Sequence, residues 1–201
     1  MSLNHLSQKW GQVHSNALKF VGKGDYETGV QHLEAAVKID PEFLQAQVDL
    51  AKCYLRLRKS LEAVTVFSQV VKLDPKSPAG YAGSSLAFLS LRNLPEAERA
   101  ARRALEIDPG SAVCRYVLGM SLAAQDKSRS EALEQLRDAS GRIPDAYLAA
   151  GQIYQRNGQN SEARTELEGY LKSSKENSRN NKVKEWLKYL NGQTNHSALV
   201  A

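Results

Sequence analysis

The dipeptide Asp-Pro recurs with a period of 34 residues, at Asp40-Pro41, Asp74-Pro75 and Asp108-Pro109. A fixed period of this length is the sequence signature of a protein built from stacked helical repeats. Each copy closes an apolar, helix-favouring run. Proline has no N–H with which to continue the incoming helix, and a preceding Asp can cap the helix that follows. We therefore expect each Asp-Pro to form a tight corner between two helices.

Aromatic and small residues repeat with the same period inside each unit. An aromatic residue lies 21 positions before each proline, at Phe20, Tyr54 and Phe88. Small residues allow helices to approach closely, and aromatic residues fill the space between them. The other matched positions are Ala17, Ala51 and Ser85; Gly29, Ala63 and Ala97; Leu33, Phe67 and Ala101; and Ala36, Val70 and Ala104. The pattern predicts two antiparallel helices in each unit.

Two further units follow when the period is relaxed. The fourth matches if one extra residue lies in the polar stretch Gln125–Ser128, where an insertion costs little. The fifth matches without a closing proline. The matched positions are Leu118, Gly119, Leu122, Ala132, Leu136, Ala139 and Pro144 in the fourth unit, and Gly151, Tyr154, Ala163, Leu167 and Tyr170 in the fifth.

This combination of positions resembles the tetratricopeptide repeat family, whose unit is a helix–turn–helix of 34 residues. The chain departs from the family pattern at Ser84-Ser85, where Leu-Gly is common, and its first unit lacks the usual Trp. The resemblance implies an all-α, right-handed superhelical solenoid of about five repeats. We place these repeats at residues 10–43, 44–77, 78–111, 112–144 and 145–174.

The C-terminal region is expected to cover the last repeat. A repeat array needs a terminal element that buries the exposed apolar face of its final unit. Residues 175–192 read as a linker and a capping helix, because Val183, Trp186, Leu187 and Leu190 have helical spacing. Residues 1–9 and 193–201 show no periodic pattern, so we expect a loose N-terminus and a flexible tail.

Composition limits the location of the protein. No stretch approaches the roughly 18–20 consecutive apolar residues of a membrane span. No signal peptide is visible, so we expect a cytoplasmic protein, although a trimmed segment of a larger or exported protein would look the same.

Cys53 and Cys114 lie two repeats apart, which favours free, buried thiols over a disulfide.

The net charge of +5 is unevenly distributed. The segment Lys172–Lys188 holds six basic residues and two acids. A solvated face is the simpler interpretation, and a patch for an acidic partner or nucleic acid is the alternative. Nucleic acid is the less favoured partner, because Trp186 and Tyr189 are spaced for packing more than for base stacking.

No catalytic constellation is visible. The histidines at positions 5, 14, 32 and 196 share no metal-ligand spacing with one another or with the cysteines. No phosphate-binding loop motif occurs. We therefore expect a protein that is not an enzyme and that carries no cofactor and no metal.

The resemblance implies that the first helices of the repeats line a concave, peptide-binding surface. Register then selects twelve principal lining candidates, and packing between neighbouring helices is the alternative interpretation for many of them, Leu86 above all. Further positions on the same faces are Leu18, Val21, Gln45, Leu55, Ala79, Leu89, Val117, Ala123 and Asp145. The twelve are His14, Val48, Asp49, Lys52, Ala82, Leu86, Val113, Tyr116, Met120, Leu148, Gln152 and Gln155.

One subgroup of the family holds a partner's terminal carboxylate with a clamp of Lys, Asn and Arg. The corresponding positions here are His14, Leu18, Asp49, Ala79 and Gly83, so we expect no such clamp. A neutral, aliphatic or aromatic segment fits the apolar middle of the surface better than an acidic tail does.

The resulting hypothesis is a non-catalytic scaffold that binds a peptide segment of another protein. The alternatives are a nucleic-acid or acidic-partner binder that uses the basic C-terminal region, and an interaction domain cut from a larger enzyme or assembly protein. The apolar tail Ala198–Ala201 is a further candidate occupant of the groove, in its own or a neighbouring copy.

Overall fold

The structure is a computed structural model that describes the backbone of residues 3–198 and the side chains of residues 11–192. Within that range it contains eleven α-helices and no strand, so the predicted all-α class is confirmed. The helices are α1 (Leu3–Gly22), α2 (Tyr26–Ile39), α3 (Leu44–Arg56), α4 (Ser60–Leu73), α5 (Pro78–Ser90), α6 (Leu94–Ile107), α7 (Ala112–Ala124), α8 (Arg129–Ser140), α9 (Asp145–Arg156), α10 (Asn160–Ser173) and α11 (Ser178–Ala198).

The chain divides into an N-terminal unit, residues 1–114, and a C-terminal unit, residues 115–201, with the boundary inside α7. In the N-terminal unit α1 packs on α2, α3 on α4 and α5 on α6, and each hairpin packs on the next through α2–α3 and α4–α5. In the C-terminal unit α8 packs on α9, α9 on α10 and α10 on α11. Each helix thus contacts mainly its neighbours along the chain, as in a repeat protein.

The turn inside every hairpin has the same backbone geometry. The residue with positive φ is Gly24, Arg58, Arg92, Asp126 or Gly158 in the five successive turns. The N–H of the following residue bonds to the carbonyl five residues earlier, for example Lys59 N to Tyr54 O at 2.9 Å. This is the Schellman ending of a helix. The extra residue expected in the fourth turn is accommodated there, because Lys127 stands between Asp126 and the N-cap Ser128.

The Asp-Pro corners differ from the prediction in one respect. Asp40, Asp74 and Asp108 cap the C-terminal end of the incoming helix instead of the N-terminus of the next one. Each carboxylate accepts the backbone N–H two residues further on, as Asp74 does from Lys76 at 2.9 Å. The next helix begins three residues after the proline, where Ser77 caps α5. The Asp therefore stabilises the turn itself.

The periodic small and apolar residues form the cores of both units. Ala17, Ala51, Ser85 and their partners on the second helices have little or no exposed surface. Gly83 is required by packing, because a Cβ there would lie 2.1 Å from the Phe67 ring. In the C-terminal unit the buried set includes Leu167 and Tyr170.

Helix α11 closes the core of the C-terminal unit. Val183 and Leu190 are buried, and Trp186 and Leu187 pack against the same cluster as Tyr170. The helix is longer than expected, since it begins at Ser178 and continues to Ala198. Residues 3–9, predicted to be loose, are part of α1. Residues 199–201, the end of the tail proposed as a groove occupant, lie outside the described residues.

Cys53 and Cys114 are buried free thiols, as predicted. Burial raises the pKa of the Cys53 thiol to about 11, and the nearby Asp49 charge adds to the effect. Burial also raises the pKa of Cys114. None of the helices within residues 3–198 has both the length and the apolar composition of a membrane span.

Replacing Arg58 with glycine should stabilise the N-terminal unit. A non-glycine residue in the left-handed region costs roughly 1–2 kcal/mol, which glycine avoids at some expense in unfolded-state entropy. We expect the free energy of unfolding to rise by about 0.5–1 kcal/mol in urea titrations. Gln69→Gly, in the exposed middle of α4, is the control and should lower stability by about 1 kcal/mol. Destabilisation by Arg58→Gly would contradict the turn assignment.

Both thiols should react slowly with a disulfide reagent in the folded protein. With a pKa near 11, only about one Cys53 side chain in a thousand is thiolate at pH 8. We expect the reaction rate to increase from pH 8 to pH 10, and to increase at least tenfold at constant pH when the protein is unfolded in urea. A Cys114→Ala variant isolates the signal of Cys53. Rapid stoichiometric labelling of the folded protein at pH 7 would exclude the buried state.

Candidate functional site

The N-terminal unit contains an open cleft of about 530 Å³ formed mainly by the first helices of its three hairpins, α1, α3 and α5. Each of these helices packs one face on its own hairpin partner and turns another face toward the cleft. On α3, Asp49, Lys52, Cys53 and Arg56 follow the i, i+3, i+4, i+7 spacing of a single helix face. The lining residues are Leu18, Val21, Tyr26, Asp49, Lys52, Cys53, Leu55, Arg56, Leu86 and Ser90. We call this surface the apolar cleft.

Apolar side chains form part of the wall of the apolar cleft, and three of them pack against the core. Val21, Tyr26 and Leu55 are half-buried and pack against the core cluster beneath them. Leu86 is half-buried, and Leu18 keeps 41% of its surface exposed. Side chains held in this way lose little freedom when a ligand covers them, so they suit binding.

A hydrogen-bonded network occupies the polar side of the cleft. Asp49 Oδ2 lies 3.0 Å from His14 Nε2 and accepts from Gln45 Nε2 at 3.0 Å, and Lys52 Nζ lies 3.5 Å from Oδ1. A carboxylate can only accept, so the His14 Nε2 carries the shared proton. The His14 ring meets Phe43 edge-on with centroids 4.9 Å apart. The network connects α1 to α3 and satisfies Asp49 within the protein.

The structure brings together only part of the predicted groove. Asp49, Lys52 and Leu86 line the apolar cleft, and His14 bonds to Asp49. Val48 was predicted to line the groove, but it is only 5% exposed and belongs to the buried residues of the core. Ala82 is half-buried on α5, and Val113 is partly exposed at the end of the N-terminal unit.

The remaining candidates belong to the C-terminal unit. Tyr116 and Met120 are half-buried on α7, and desolvation raises the pKa of Tyr116. Leu148 packs against the core of that unit. Gln152 is exposed, and Gln155 is half-buried on α9.

The lining residues that the sequence did not predict are Tyr26, Cys53, Arg56 and Ser90. Arg56 and Ser90 continue the cleft-facing stripes of α3 and α5 by four residues from Lys52 and Leu86, so the helical spacing carried a usable signal. Tyr26 opens the second helix of its hairpin, and only the folded turn brings it to the cleft.

A second cleft of about 600 Å³ lies among α4, α5 and α6 of the same unit. Its lining includes Arg99, Arg102 and Arg103, and the Arg103 guanidinium lies 5.9 Å from the centroid of the Tyr81 ring. Each arginine forms an ion pair with a glutamate on its own helix, as Arg99 does with Glu96. This local pairing reduces the positive field of the cleft.

No group of three or more His, Cys, Asp and Glu side chains suited to a metal ion occurs among the residues that the structure describes.

Comparison with known proteins identifies the fold. Tetratricopeptide repeat models match residues 20–87 and residues 144–177, together about half of the chain. A search of curated protein sequences found no match.

Several solved structures are similar. PilF of Pseudomonas aeruginosa has a TM-score of 0.76 at 15% identity, with 96% of this chain and 89% of that chain covered. MamA, residues 41 to the end, from Desulfovibrio magneticus RS-1 has a TM-score of 0.72 at 17% identity, covering 82% and 94%. YrrB, described as a tetratricopeptide repeat protein with an unusual peptide-binding site, has a TM-score of 0.63 at 19% identity, covering 81% and 84%.

The family models, the helical hairpins and the shared fold agree with the period of the sequence, and the chain belongs to the tetratricopeptide repeat family.

Proposed function

We propose that this protein is a non-catalytic scaffold whose apolar cleft binds an extended segment of another protein. The observation that carries the proposal is the open face made by α1, α3 and α5, where apolar side chains anchored in the core remain accessible. A concave surface of this volume, lined by apolar side chains with a few polar groups, is typical of a binding site. The fold shared with YrrB, which is described as having a peptide-binding site, gives further support.

The lining of the cleft favours a ligand with aliphatic or aromatic side chains. Leu18, Val21, Leu55 and Leu86 offer apolar contacts. Because these side chains are already partly buried, covering the rest of each contributes only a share of the roughly 1.5–3 kcal/mol of full burial. Lys52 and Arg56 stand beside these residues and can donate to backbone carbonyls of an extended chain. A few apolar anchors would then supply most of the affinity.

The polar network argues for an internal segment of the partner over a C-terminal tail. A terminal carboxylate placed beside Asp49 would meet a like charge. Lys52, the nearest cation to that site, already lies 3.5 Å from the Asp49 carboxylate and is 58% exposed. Its exposure reduces the value of a new ion pair, which at a surface contributes about 0–1 kcal/mol. We therefore propose recognition without a carboxylate clamp.

Truncation of the cleft leucines should weaken peptide binding without unfolding the protein. Peptides selected from a random displayed library on the full chain serve as probes, and fluorescence anisotropy gives the Kd. Leu18→Ala and Leu86→Ala should each raise the Kd by about five- to thirtyfold, because an apolar anchor is lost. Circular dichroism should show unchanged helix content.

Leu61→Ala is the matched control, since Leu61 is 68% exposed on α4 and does not line the apolar cleft. It should leave the Kd within about twofold of the wild type. If the selected peptides bind the Leu18 and Leu86 variants as tightly as the wild type, the apolar cleft is not the binding site.

A second experiment tests the absence of a carboxylate clamp. The selected peptides are compared with a free and with an amidated C-terminus, each at the same sequence. We expect the two Kd values to agree within about threefold, because Lys52 is already paired with Asp49 and a terminal carboxylate there would be repelled by the Asp49 charge. A loss of about tenfold or more on amidation would reveal carboxylate recognition and reject this part of the proposal. N-terminal acetylation of the same peptides is the control for a general charge effect.

A further inference from the structure

The two ends of the apolar cleft differ in charge. The lining residues of α3 run from Asp49 to Arg56, which stand seven residues or about 10 Å apart along the helix. Asp49 is engaged inside the protein by His14, Gln45 and Lys52. The exposed side chain of Arg56 forms no ion pair or hydrogen bond with any residue that the structure describes. The net charge of +1 on the cleft lining is therefore the charge of Arg56.

The ends of the chain offer Arg56 no acidic side chain. Residues 1–10 and 193–201, whose side chains lie outside the description, contain neither Asp nor Glu. Glu27 and Glu62, in the first turns of α2 and α4, do not line the cleft. A carboxylate that pairs with Arg56 in the cleft therefore has to come from a ligand.

The end of α3 does not need the Arg56 side chain as a donor. Arg56 is the last residue of this helix, a position where a cation can bond to the final carbonyl groups. Those groups already accept backbone N–H groups. Cys53 O accepts from Leu57 N at 3.0 Å, and Tyr54 O accepts from Lys59 N at 2.9 Å. The N–H donors of the guanidinium group stay available to a ligand.

Arg56 has polar neighbours at its end of the cleft. Arg56 and Ser90 are the last residues of α3 and α5, and Tyr26 begins α2 just after the end of α1. Tyr26 packs against the core, and its hydroxyl makes no hydrogen bond within the described part of the chain. Ser90 Oγ already donates to the Leu86 carbonyl at 2.9 Å. The open donors at this end are thus the guanidinium group and one phenol hydroxyl, which suit an acceptor that carries negative charge.

We propose that the partner segment carries an aspartate or glutamate whose side-chain carboxylate binds Arg56. This inference rests on the proposed peptide function and adds the charge of the ligand to it. A guanidinium can hold a carboxylate through two parallel N–H···O bonds. A backbone carbonyl would satisfy a donor but would leave the charge unpaired.

The position of Arg56 also sets where the acidic residue lies in the segment. Leu55 and Leu86 line the cleft beside this end, and three residues of extended chain span about 10 Å. The acid should therefore follow or precede an apolar anchor by at most about three residues. Its carboxylate then lies about one helix-face length from Asp49 and avoids the repulsion that a group beside Asp49 would meet.

The test is a double-mutant cycle between Arg56 and peptides selected on the full chain from the random displayed library. The selected sequences should share an Asp or Glu at a fixed distance from an apolar residue. Changing that acid to its amide should raise the Kd for the wild type by about three- to fivefold, the size expected for an ion pair at a surface. Against Arg56→Gln the same peptide change should alter the Kd by less than about 1.5-fold, because the partner charge is already absent.

Arg58→Gln is the matched control. Arg58 is exposed in the turn two residues further on and does not line the cleft, so this variant removes the same charge from a neighbouring position. Against it, the peptide change should keep its full effect. Arg56→Lys keeps the charge and loses the planar fork, so it should keep only part of the effect. Circular dichroism verifies that each variant is folded.

The outcomes separate this inference from the proposed function. Selected peptides without a shared acid, or an amide change that acts equally on the wild type and on Arg56→Gln, would overturn the inference. If Leu18→Ala and Leu86→Ala still weaken binding in that case, the peptide site stands and only its charge preference is rejected. A loss of the effect in Arg58→Gln as large as in Arg56→Gln would indicate a general charge effect and would also overturn it. If the library yields no binding peptide, the proposed function fails and this inference fails with it.

Discussion

The close packing of small residues on large ones between neighbouring helices is the contact on which the structure depends. One hairpin of about 34 residues cannot bury enough apolar surface to fold alone. Each hairpin therefore places a residue such as Ala51 at the helix crossing and a larger residue such as Phe67 against the next helix. The Phe67 ring rests against the backbone of Gly83, and a side chain at that position would separate α4 from α5. The close approach also brings the first helices near enough to enclose the apolar cleft.

This packing explains how much of the fold could be predicted from the sequence. Small and apolar residues recur at 34-residue intervals in the first three units because the same helix crossing is rebuilt in each unit, and the structure buries the matched residues, such as Ala17, Ala51 and Ser85. The backbone conformation of the turns is harder to predict from the sequence. Gly24 and Gly158 indicate a left-handed residue, but Arg58, Arg92 and Asp126 adopt the same conformation without glycine. There the hairpin packing imposes a conformation that these residues do not prefer locally.

The sequence also predicts only part of the lining of the candidate site. Helical register selects the stripe of α3 that contains Asp49 and Lys52, since side chains at i and i+3 share a face, and both residues line the apolar cleft. Register alone does not separate a half-buried wall from the core, and Val48, which register also selects, is buried. Nor could it show that His14, 35 residues away in the chain, bonds to Asp49. That contact exists because α1 and α3 are brought together by the first repeat, and it removes the one acidic side chain of the cleft from the groups open to a ligand.

The distribution of charge follows from spacing more than from composition. On α6 the glutamates stand three or four residues from the arginines, the separation at which side chains of one helix meet, and the charges are paired locally. In the segment from Lys172 to Lys188 acids are too few for such pairing. Its cations are spread over the end of α10, the turn that follows it and α11, and Arg179 pairs with Asp145, 34 residues earlier in the chain. Only folding brings these two side chains together, so part of a positive charge that looks unpaired in the sequence is neutralised by a distant segment.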